Sequence, residues 1–368
     1  MSIQFNTLKI KQINKETSDT VTLTFEVPPG LKEKYAYTQG QYLTLRFDME
    51  GREIRRSYSL CSSPADDEWS VTVKRVQGGK VSNYIADRLK AGDTIEVATP
   101  EGRFYTKLDT AQKKSYFLFA AGSGITPIFS ILKTILEQEP MSQVVLLYGS
   151  RHESEIIFKN QLDQLEKRYE GQLKVSHIIS QPAKEKAGGL TGLFKKPVIQ
   201  WQGKTGRITP DSVRIFLEEN PARWKDCEYF ICGPGPMIAS VKDYLKTLNT
   251  DPKKIHIEYF TSADTASVVT PSAPGGVSAK AKIHLDGQLI QLDISKEKTI
   301  LQALMEAGYD PPYSCTSGSC STCMAKLISG KVEMDVCLAL DEEEVAEGYI
   351  LTCQSHPVTP ELELTYKV

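Results

Sequence analysis

Hydrophobic and polar positions follow three different rhythms along this chain. From Phe5 to about Leu108 short apolar stretches alternate with polar residues and are cut by turn signals such as Pro28-Pro29-Gly30 and Ala91-Gly92-Asp93. The pattern predicts strands over Leu8–Ile13, Val21–Val27, Tyr42–Phe47, Ile54–Leu60, Trp69–Val76 and Thr94–Thr99. Many short, evenly spaced strands imply a small antiparallel β-barrel. One helix is predicted over Val81–Leu89, with Val81, Tyr84, Ile85 and Leu89 at helical spacing. From Lys113 to Phe260 apolar runs alternate with helical periods. Strands are predicted over Tyr116–Ala121, Val144–Tyr148, Lys174–Ile179, Tyr229–Cys232 and Ile255–Tyr259. The helices between them are predicted over Ile128–Gln138, Phe158–Tyr169, Asp211–Glu218 and Pro236–Leu248. That order is a parallel, doubly wound α/β domain. The residues from Ser262 to Ser278 contain no basic and no aromatic side chain and read as a flexible linker. As a coil it would span about 20–25 Å r.m.s.. The expected domains are 1–110, 111–261 and 279–368, with the linker at 262–278.

The third domain carries the sharpest chemical signal. Cys315, Cys320 and Cys323 have the spacing C-x4-C-x2-C, and Cys353 follows after a long gap. This is the plant-type [2Fe–2S] spacing. Structural zinc favours paired knuckles, and only one close pair is present. Cys337 lies between Cys323 and Cys353 in a polar, acidic stretch, whereas Cys353 sits in Ile350-Leu351-Thr352-Cys353-Gln354, which reads as a strand end. Cys353 is therefore the expected fourth ligand.

Composition adds bounds. The net charge of −2 hides a split: residues 279–368 hold 14 acidic and 7 basic residues, and the rest hold 32 and 37. The split suggests electrostatic docking between domains or onto a partner. No basic stripe with interleaved aromatics suggests nucleic acid. No apolar run is long enough for a membrane helix. The opening Met1-Ser2-Ile3-Gln4-Phe5 has no signal-like pattern, so the cytoplasm is expected, which suits reduced cysteines.

Four further motifs carry chemistry. Arg56-Ser57-Tyr58-Ser59 ends a predicted strand, and alternation puts Arg56 and Tyr58 on one side. Gly78-Gly79-Lys80-Val81-Ser82 opens the barrel's helix, where free backbone N–H groups can meet a pyrophosphate. Gly122-Ser123-Gly124-Ile125-Thr126-Pro127 joins a buried strand to a helix, the place of a dinucleotide loop, with Pro127 where a third glycine often stands. Cys232-Gly233-Pro234-Gly235-Pro236-Met237 repeats that arrangement at the last crossover.

In this order the motifs resemble the ferredoxin–NADP reductase superfamily, with a plant-type ferredoxin domain added. The whole chain resembles the reductase components of bacterial multicomponent oxygenases. The stretches 55–64, 73–76 and 348–354 look like the reductase subunits of phenylacetyl-CoA epoxidases. The resemblance implies an antiparallel β-barrel FAD domain, an α/β parallel-sheet NADP domain and an α+β β-grasp ferredoxin domain. It implies FAD, with Arg56 on the pyrophosphate, Tyr58 packed on the isoalloxazine, Ser57 among the cofactor-binding residues, Ser59 near the reacting ring nitrogen, and Gly79, Lys80, Val81 and Ser82 around the phosphates. Gly122, Ser123, Gly124, Ile125, Thr126 and Pro127 would receive the nicotinamide nucleotide, with Cys232 beside its reactive carbon and Gly233 and Pro234 also binding the cofactor. Glu258 and Phe260 fall where related reductases end in Glu-x-aromatic, and Phe260 would shield the flavin.

Ser150, Arg151 and Arg207 supply a hydroxyl and two cations suited to a 2′-phosphate, so NADPH is expected, with NADH possible. The implied reaction is hydride transfer to FAD, then single electrons through the cluster to a di-iron or other oxygenase, with the tethered domain shuttling. Two alternatives stand beside it: the reductase of a Rieske-type or demethylating oxygenase, and a redox-responsive iron–sulfur sensor.

Overall fold

We describe a computed structural model of the chain, over residues 3–185, 198–260 and 276–368. Most of the expected linker, residues 262–275, lies outside the described residues. Its last residues are docked: the Val277 N–H donates to the Pro357 carbonyl at 2.9 Å.

The first sheet is antiparallel and six-stranded. It is built from β1 (Phe5–Thr17), β2 (Thr20–Glu26), β3 (Tyr42–Met49), β4 (Arg52–Ser59), β5 (Trp69–Lys74) and β6 (Thr94–Ala98) in the order β4-β3-β6-β1-β2-β5. Leu60, just past β4, bridges to Val71 of β5, so the two edges meet and the barrel closes. Leu8, Leu23, Leu43, Leu45, Val71 and Val97 fill it and are fully buried. The first strand runs well beyond the predicted stretch, because β1 and β2 continue as a two-stranded hairpin to the Thr17–Thr20 pair. Helix α1 (Lys80–Arg88) starts directly after Gly79.

The second sheet contains β7 (Ser115–Ala121), β8 (Gln143–Ser150), β9 (Leu173–Ile179), β12 (Lys204–Thr205), β13 (Cys227–Gly233) and β14 (Ile255–Tyr259), all parallel, in the order β12-β9-β8-β7-β13-β14. A two-residue pair, β10 (Lys184–Glu185) with β11 (Val198–Ile199), stands apart from it. The helices are α2 (Ile125–Gln138), α3 (Lys159–Arg168), α4 (Pro210–Glu219) and α5 (Gly235–Thr247). Helix α2 begins three residues earlier than its apolar period predicts, because Pro127 fits the first turn, where its missing N–H is not needed. Helix α3 begins one residue later, because Phe158 takes a left-handed φ of 60°. The strand order reverses between β7 and β13, and open α/β sheets bind ligands at such a switch point.

The third sheet is mixed, with β15 (Ala279–Leu285), β16 (Gln288–Ile294), β17 (Met324–Ser329), β19 (Tyr349–Leu351) and β21 (Glu361–Thr365) in the order β16-β15-β21-β17-β19. Helix α6 (Ile300–Glu306) buries Ile300 and Leu304 in its core. The pair β18 (Val332–Met334) with β20 (Ser355–Pro357) and the short helix α7 (Glu342–Ala346) complete the domain. Cys353 is not at a strand end; it lies in the turn two residues past β19. No helix among the described residues is long and apolar enough to cross a membrane.

Candidate electron-transfer site

Strand β4 organises the site. Neighbouring side chains on a strand point to opposite faces. On one face stand Arg56 and Tyr58. Arg56 is exposed, and its Nη1 donates to the Arg55 carbonyl at 2.7 Å. Burial pushes the Tyr58 phenol above its usual range, and the Arg56 charge partly offsets this, which puts the two side chains close together. On the other face Arg55 reaches Asp310, the Ser57 Oγ lies 2.6 Å from the Ser314 Oγ, and the Ser59 Oγ donates to Glu258 Oε2 at 3.1 Å. One strand face thus meets the cysteine-bearing domain and the parallel-sheet domain in turn. The Ser57 side chain is turned away from the Arg56–Tyr58 face.

Gly79 N-caps α1 without a side-chain cap, so the first N–H groups of the helix have no side-chain acceptor. A Cβ on Gly79 would lie 2.7 Å from the Ser82 Oγ, which itself accepts from the Val76 N–H at 3.1 Å. The Gly79–Ser82 turn is therefore tight, with exposed Lys80 beside it and buried Val81 anchoring it in the barrel. An open helix N-terminus in the same domain as the exposed Arg56 guanidinium fits a pyrophosphate.

At the switch point, Gly122–Gly124 forms a single 3-10 turn leading into α2, whose N-terminus again lacks a side-chain cap. Gly122 has φ 56°, and a Cβ on Gly124 would lie 2.2 Å from the Cys232 carbonyl oxygen. The two Gly-containing loops therefore touch, with Ser123 accepting from Thr126 at 2.8 Å and Ile125, Thr126 and Pro127 buried. Cys232 on β13 pairs in register with Glu258 on β14; Cys232 is fully buried and Glu258 is half-buried at the wall of a cavity. Burial pushes the Glu258 carboxyl up to about 8, against the pull of the Ser59 hydrogen bond. Burial and the nearby Glu258 keep the Cys232 thiol protonated. Gly233 takes φ 157° and Pro234 caps α5. Phe260 packs part-buried against the parallel-sheet domain's core.

Ser150, at the carboxyl end of β8, has a buried Oγ with no hydrogen-bond partner. Its carbonyl accepts from Ser180 N–H, and the Gly206 N–H donates to Ile179, so Arg151 and Arg207 follow the same sheet edge. Neither guanidinium pairs with an acid among the described residues.

The cysteines meet in pairs. The thiols of Cys315 and Cys320, of Cys323 and Cys353, and of Cys315 and Cys353 lie close enough to act on one another, which holds Cys315 and Cys323 low and Cys320 and Cys353 high. Among the described residues no three acidic, His or Cys side chains surround one point as a single ion would need. Two pairs of thiols side by side fit a cluster of two irons. The Ser317 N–H donates to the Cys315 Sγ at 3.4 Å. Gly318 (φ 73°) has no room for a side chain, since a Cβ would lie 2.5 Å from the Val336 carbonyl. Cys337 packs part-buried against the cluster that holds Cys323 and Cys353, and burial raises its thiol.

The contacts between domains are not legible in the sequence. The Tyr42 hydroxyl lies 2.7 Å from Thr322 Oγ1, Thr322 donates to Glu101 at 3.2 Å, and Thr44 donates to Ser314 at 3.1 Å. Their one signal is a polar alternation, Tyr42-x-Thr44 and Arg55-x-Ser57-x-Ser59, which reads equally well as a solvated barrel face. A cavity of about 190 Å³ touches all three domains, with Tyr42, Arg103, His256, Glu258 and Cys320 in its wall.

Comparison with known proteins agrees with this architecture. Residues 7–105 match the oxidoreductase FAD-binding domain family, 118–243 the oxidoreductase NAD-binding domain family, and 283–358 the 2Fe-2S iron-sulfur cluster binding domain family. The ferredoxin reductase component of 3-ketosteroid-9-alpha-monooxygenase from Rhodococcus rhodochrous is 36% identical, over 98% of this chain and 96% of that one. A subunit of the 1,2-phenylacetyl-CoA epoxidase from Escherichia coli (strain K12) is 34% identical, over 98% of both chains. Phthalate dioxygenase reductase shares the fold, with a TM-score of 0.58, 23% identity and 98% of each chain covered. The chain belongs to the ferredoxin-reductase-like family of flavin and iron–sulfur oxidoreductases, with FAD-binding, NAD-binding and [2Fe–2S] domains, that serve as electron-transfer reductases of multicomponent oxygenases.

Proposed function

We propose that the chain draws electrons from NADPH and delivers them, in the cytoplasm, to an oxygenase component that epoxidises phenylacetyl-CoA. Bound flavin supplies the conversion from two-electron hydride chemistry to the single-electron chemistry of the cluster. The chain's own residues bind, orient and shield. Arg56 and the N-terminus of α1 would hold the FAD pyrophosphate, with Gly79 to Ser82 forming the turn and Tyr58 offering a ring face. The Gly122–Pro127 loop and the Cys232–Pro234 loop would hold the nicotinamide nucleotide. Glu258, its carboxyl raised to about 8 by burial, would keep a proton beside Ser59 at neutral pH. Cys315, Cys320, Cys323 and Cys353 would hold the irons.

The observation that carries the NADPH preference is the buried, unpartnered Ser150 Oγ at the carboxyl end of β8, followed directly by Arg151, with neither Arg151 nor Arg207 paired to an acid among the described residues. A dianionic 2′-phosphate would satisfy all three groups. Arg151→Ala with Arg207→Ala should lower kcat/KM for NADPH by about 100-fold and leave the NADH value nearly unchanged. Equal wild-type values for the two nucleotides would refute the preference.

The epoxidase assignment is supported by 34% identity over nearly the full length of the epoxidase relative. A second reading, a 3-ketosteroid 9α-monooxygenase, is supported by 36% identity. Pairing the chain with each oxygenase separates them. Product from phenylacetyl-CoA alone supports the first, and product from the steroid alone overturns it. None of the eight cysteines is joined in a disulfide, in keeping with a reducing compartment.

A further inference from the structure

We propose that Arg55 is a positioning residue that clamps the iron–sulfur domain onto the flavin-binding barrel and fixes the loop that carries Cys315. The proposal rests on the electron-transfer reading and adds the device that sets the geometry of the docked state.

Arg55 is a charged strand residue that is only 2% exposed. Half of its surroundings belong to its own domain. Its Nε donates to Glu53 Oε1 at 2.7 Å, and the guanidinium lies 5.1 Å from the Phe5 ring. The other half arrives with the iron–sulfur domain. Nη2 donates to Asp310 Oδ1 at 2.8 Å, and the guanidinium lies 4.2 Å over the Tyr313 ring. The Tyr313 hydroxyl donates in turn to Glu53 Oε1 at 3.3 Å. Glu53 and Phe5 therefore preorganise the side chain, and Asp310 and Tyr313 complete the contact.

The position in the chain gives this contact its consequence. Tyr313 is followed by Ser314, which contacts Ser57 and Thr44, and then by Cys315. The clamp grips the stretch leading directly into the cysteine loop. On β4 it lies beside Arg56, whose side chain points to the opposite face. Displacing the loop by about an ångström is enough to matter, because transfer between two bound centres depends on their spacing and orientation.

The clamp is built to release. Asp310 remains 57% exposed on its side chain, so water competes for it. Nη1 is buried with no partner, a cost that vanishes when the domains part. A lysine cannot replace this geometry, because the contact uses both the flat face and the forked edge of a guanidinium.

The test uses full-length protein loaded with flavin and cluster, and compares wild type with Arg55→Ala, Arg55→Lys and Asp310→Asn. Small-angle X-ray scattering reads the separation of the domains. Stopped-flow mixing with NADPH reads flavin bleaching and cluster bleaching as separate phases. Arg55→Ala should enlarge the radius of gyration and slow cluster reduction by about tenfold, with flavin reduction within about twofold of wild type. Arg55→Lys should fall between wild type and Arg55→Ala. Asp310→Asn, at an exposed position that folding tolerates, should slow cluster reduction by about threefold. If Arg55→Ala does not fold, the lysine and asparagine variants decide. Wild-type scattering together with wild-type cluster reduction in the folded variants overturns the clamp. A wild-type protein whose cluster NADPH never reduces would instead sink the electron-transfer reading, while the scattering comparison still decides whether Arg55 holds the domains.

Discussion

Gly124 has a specific reason to be glycine. Its Cα faces the Cys232 carbonyl so closely that a Cβ would sit 2.2 Å from that oxygen, so any side chain forces β13 and the α2 turn apart. Gly122, two residues earlier, has a left-handed φ of 56° but open space around it. Gly124→Ala should cost about 1–3 kcal/mol in thermal or urea unfolding and weaken nucleotide binding. Gly122→Ala should cost about 1 kcal/mol of backbone strain. Equal costs would mean that contact with β13 is not what requires the glycine. Glu258 makes a different prediction at the same scale. Its carboxyl is raised from 4.5 to about 8 by burial. Between those pH values the unfolded chain has lost a proton that the folded chain keeps, so stability falls as pH rises through this window. Glu258→Gln has no such proton, so its melting temperature should gain on wild type from pH 5 to pH 8. Parallel pH profiles for the two proteins would contradict the raised value.

Elements are held in place by contacts that a sequence reading does not reach. Glu228 on β13 accepts from Lys114 Nζ at 2.6 Å and pairs with His256 Nε2 of β14 at 3.1 Å, tying β7, β13 and β14 together at one end of the sheet. Burial raises its carboxyl, but the hydrogen bonds from His256 and Lys114 outweigh burial and hold it at about 2. Its contribution is therefore present above 4.5 and lost as pH falls from there toward 2. Glu228→Ala should destabilise the protein by about 2–4 kcal/mol, read from the urea midpoint, since it leaves the partly buried Lys114 ammonium without its acid. Strands and helices whose period repeats several times, such as β7, β8 and α2, are legible because burial writes that period into the residues. The ends are less so: Pro127 hides the true start of α2, and the hairpin extension of β1 is polar. The cysteine-bearing sheet yields few elements in advance, because its strands are short and the metal-site spacing dominates that stretch. Pairing of Cys353 rather than Cys337 with the other cysteines depends on how β19 and its following turn fold back, which spacing alone leaves open.

At the scale of the whole molecule, β3 and β4 are the common wall of three domains. Their outward residues Tyr42, Thr44, Arg55, Ser57 and Ser59 look like solvent-facing positions in sequence, and each meets another domain instead. The charge split suggests an electrostatic docking face. Near the cysteine loop, however, the interface is made of hydroxyl groups, and the ion pairs across it among the described residues are Arg55–Asp310 and Arg103–Glu344, each with a half-exposed partner. Exposed pairs contribute about 0–1 kcal/mol. Raising salt should therefore slow cluster reduction only about two- to threefold, and a tenfold or larger loss would show that charge dominates docking. The path of the electrons is tested most directly by anaerobic titration of the loaded protein with NADPH. Flavin absorbance and the paramagnetic signal of the reduced cluster are followed together in wild type, Cys353→Ser and Cys337→Ser. In wild type and Cys337→Ser the flavin should bleach and the cluster signal should then grow, while Cys353→Ser should bleach its flavin and show no cluster signal. Flavin bleaching without a cluster signal in wild type, or a normal signal in Cys353→Ser, would contradict that path.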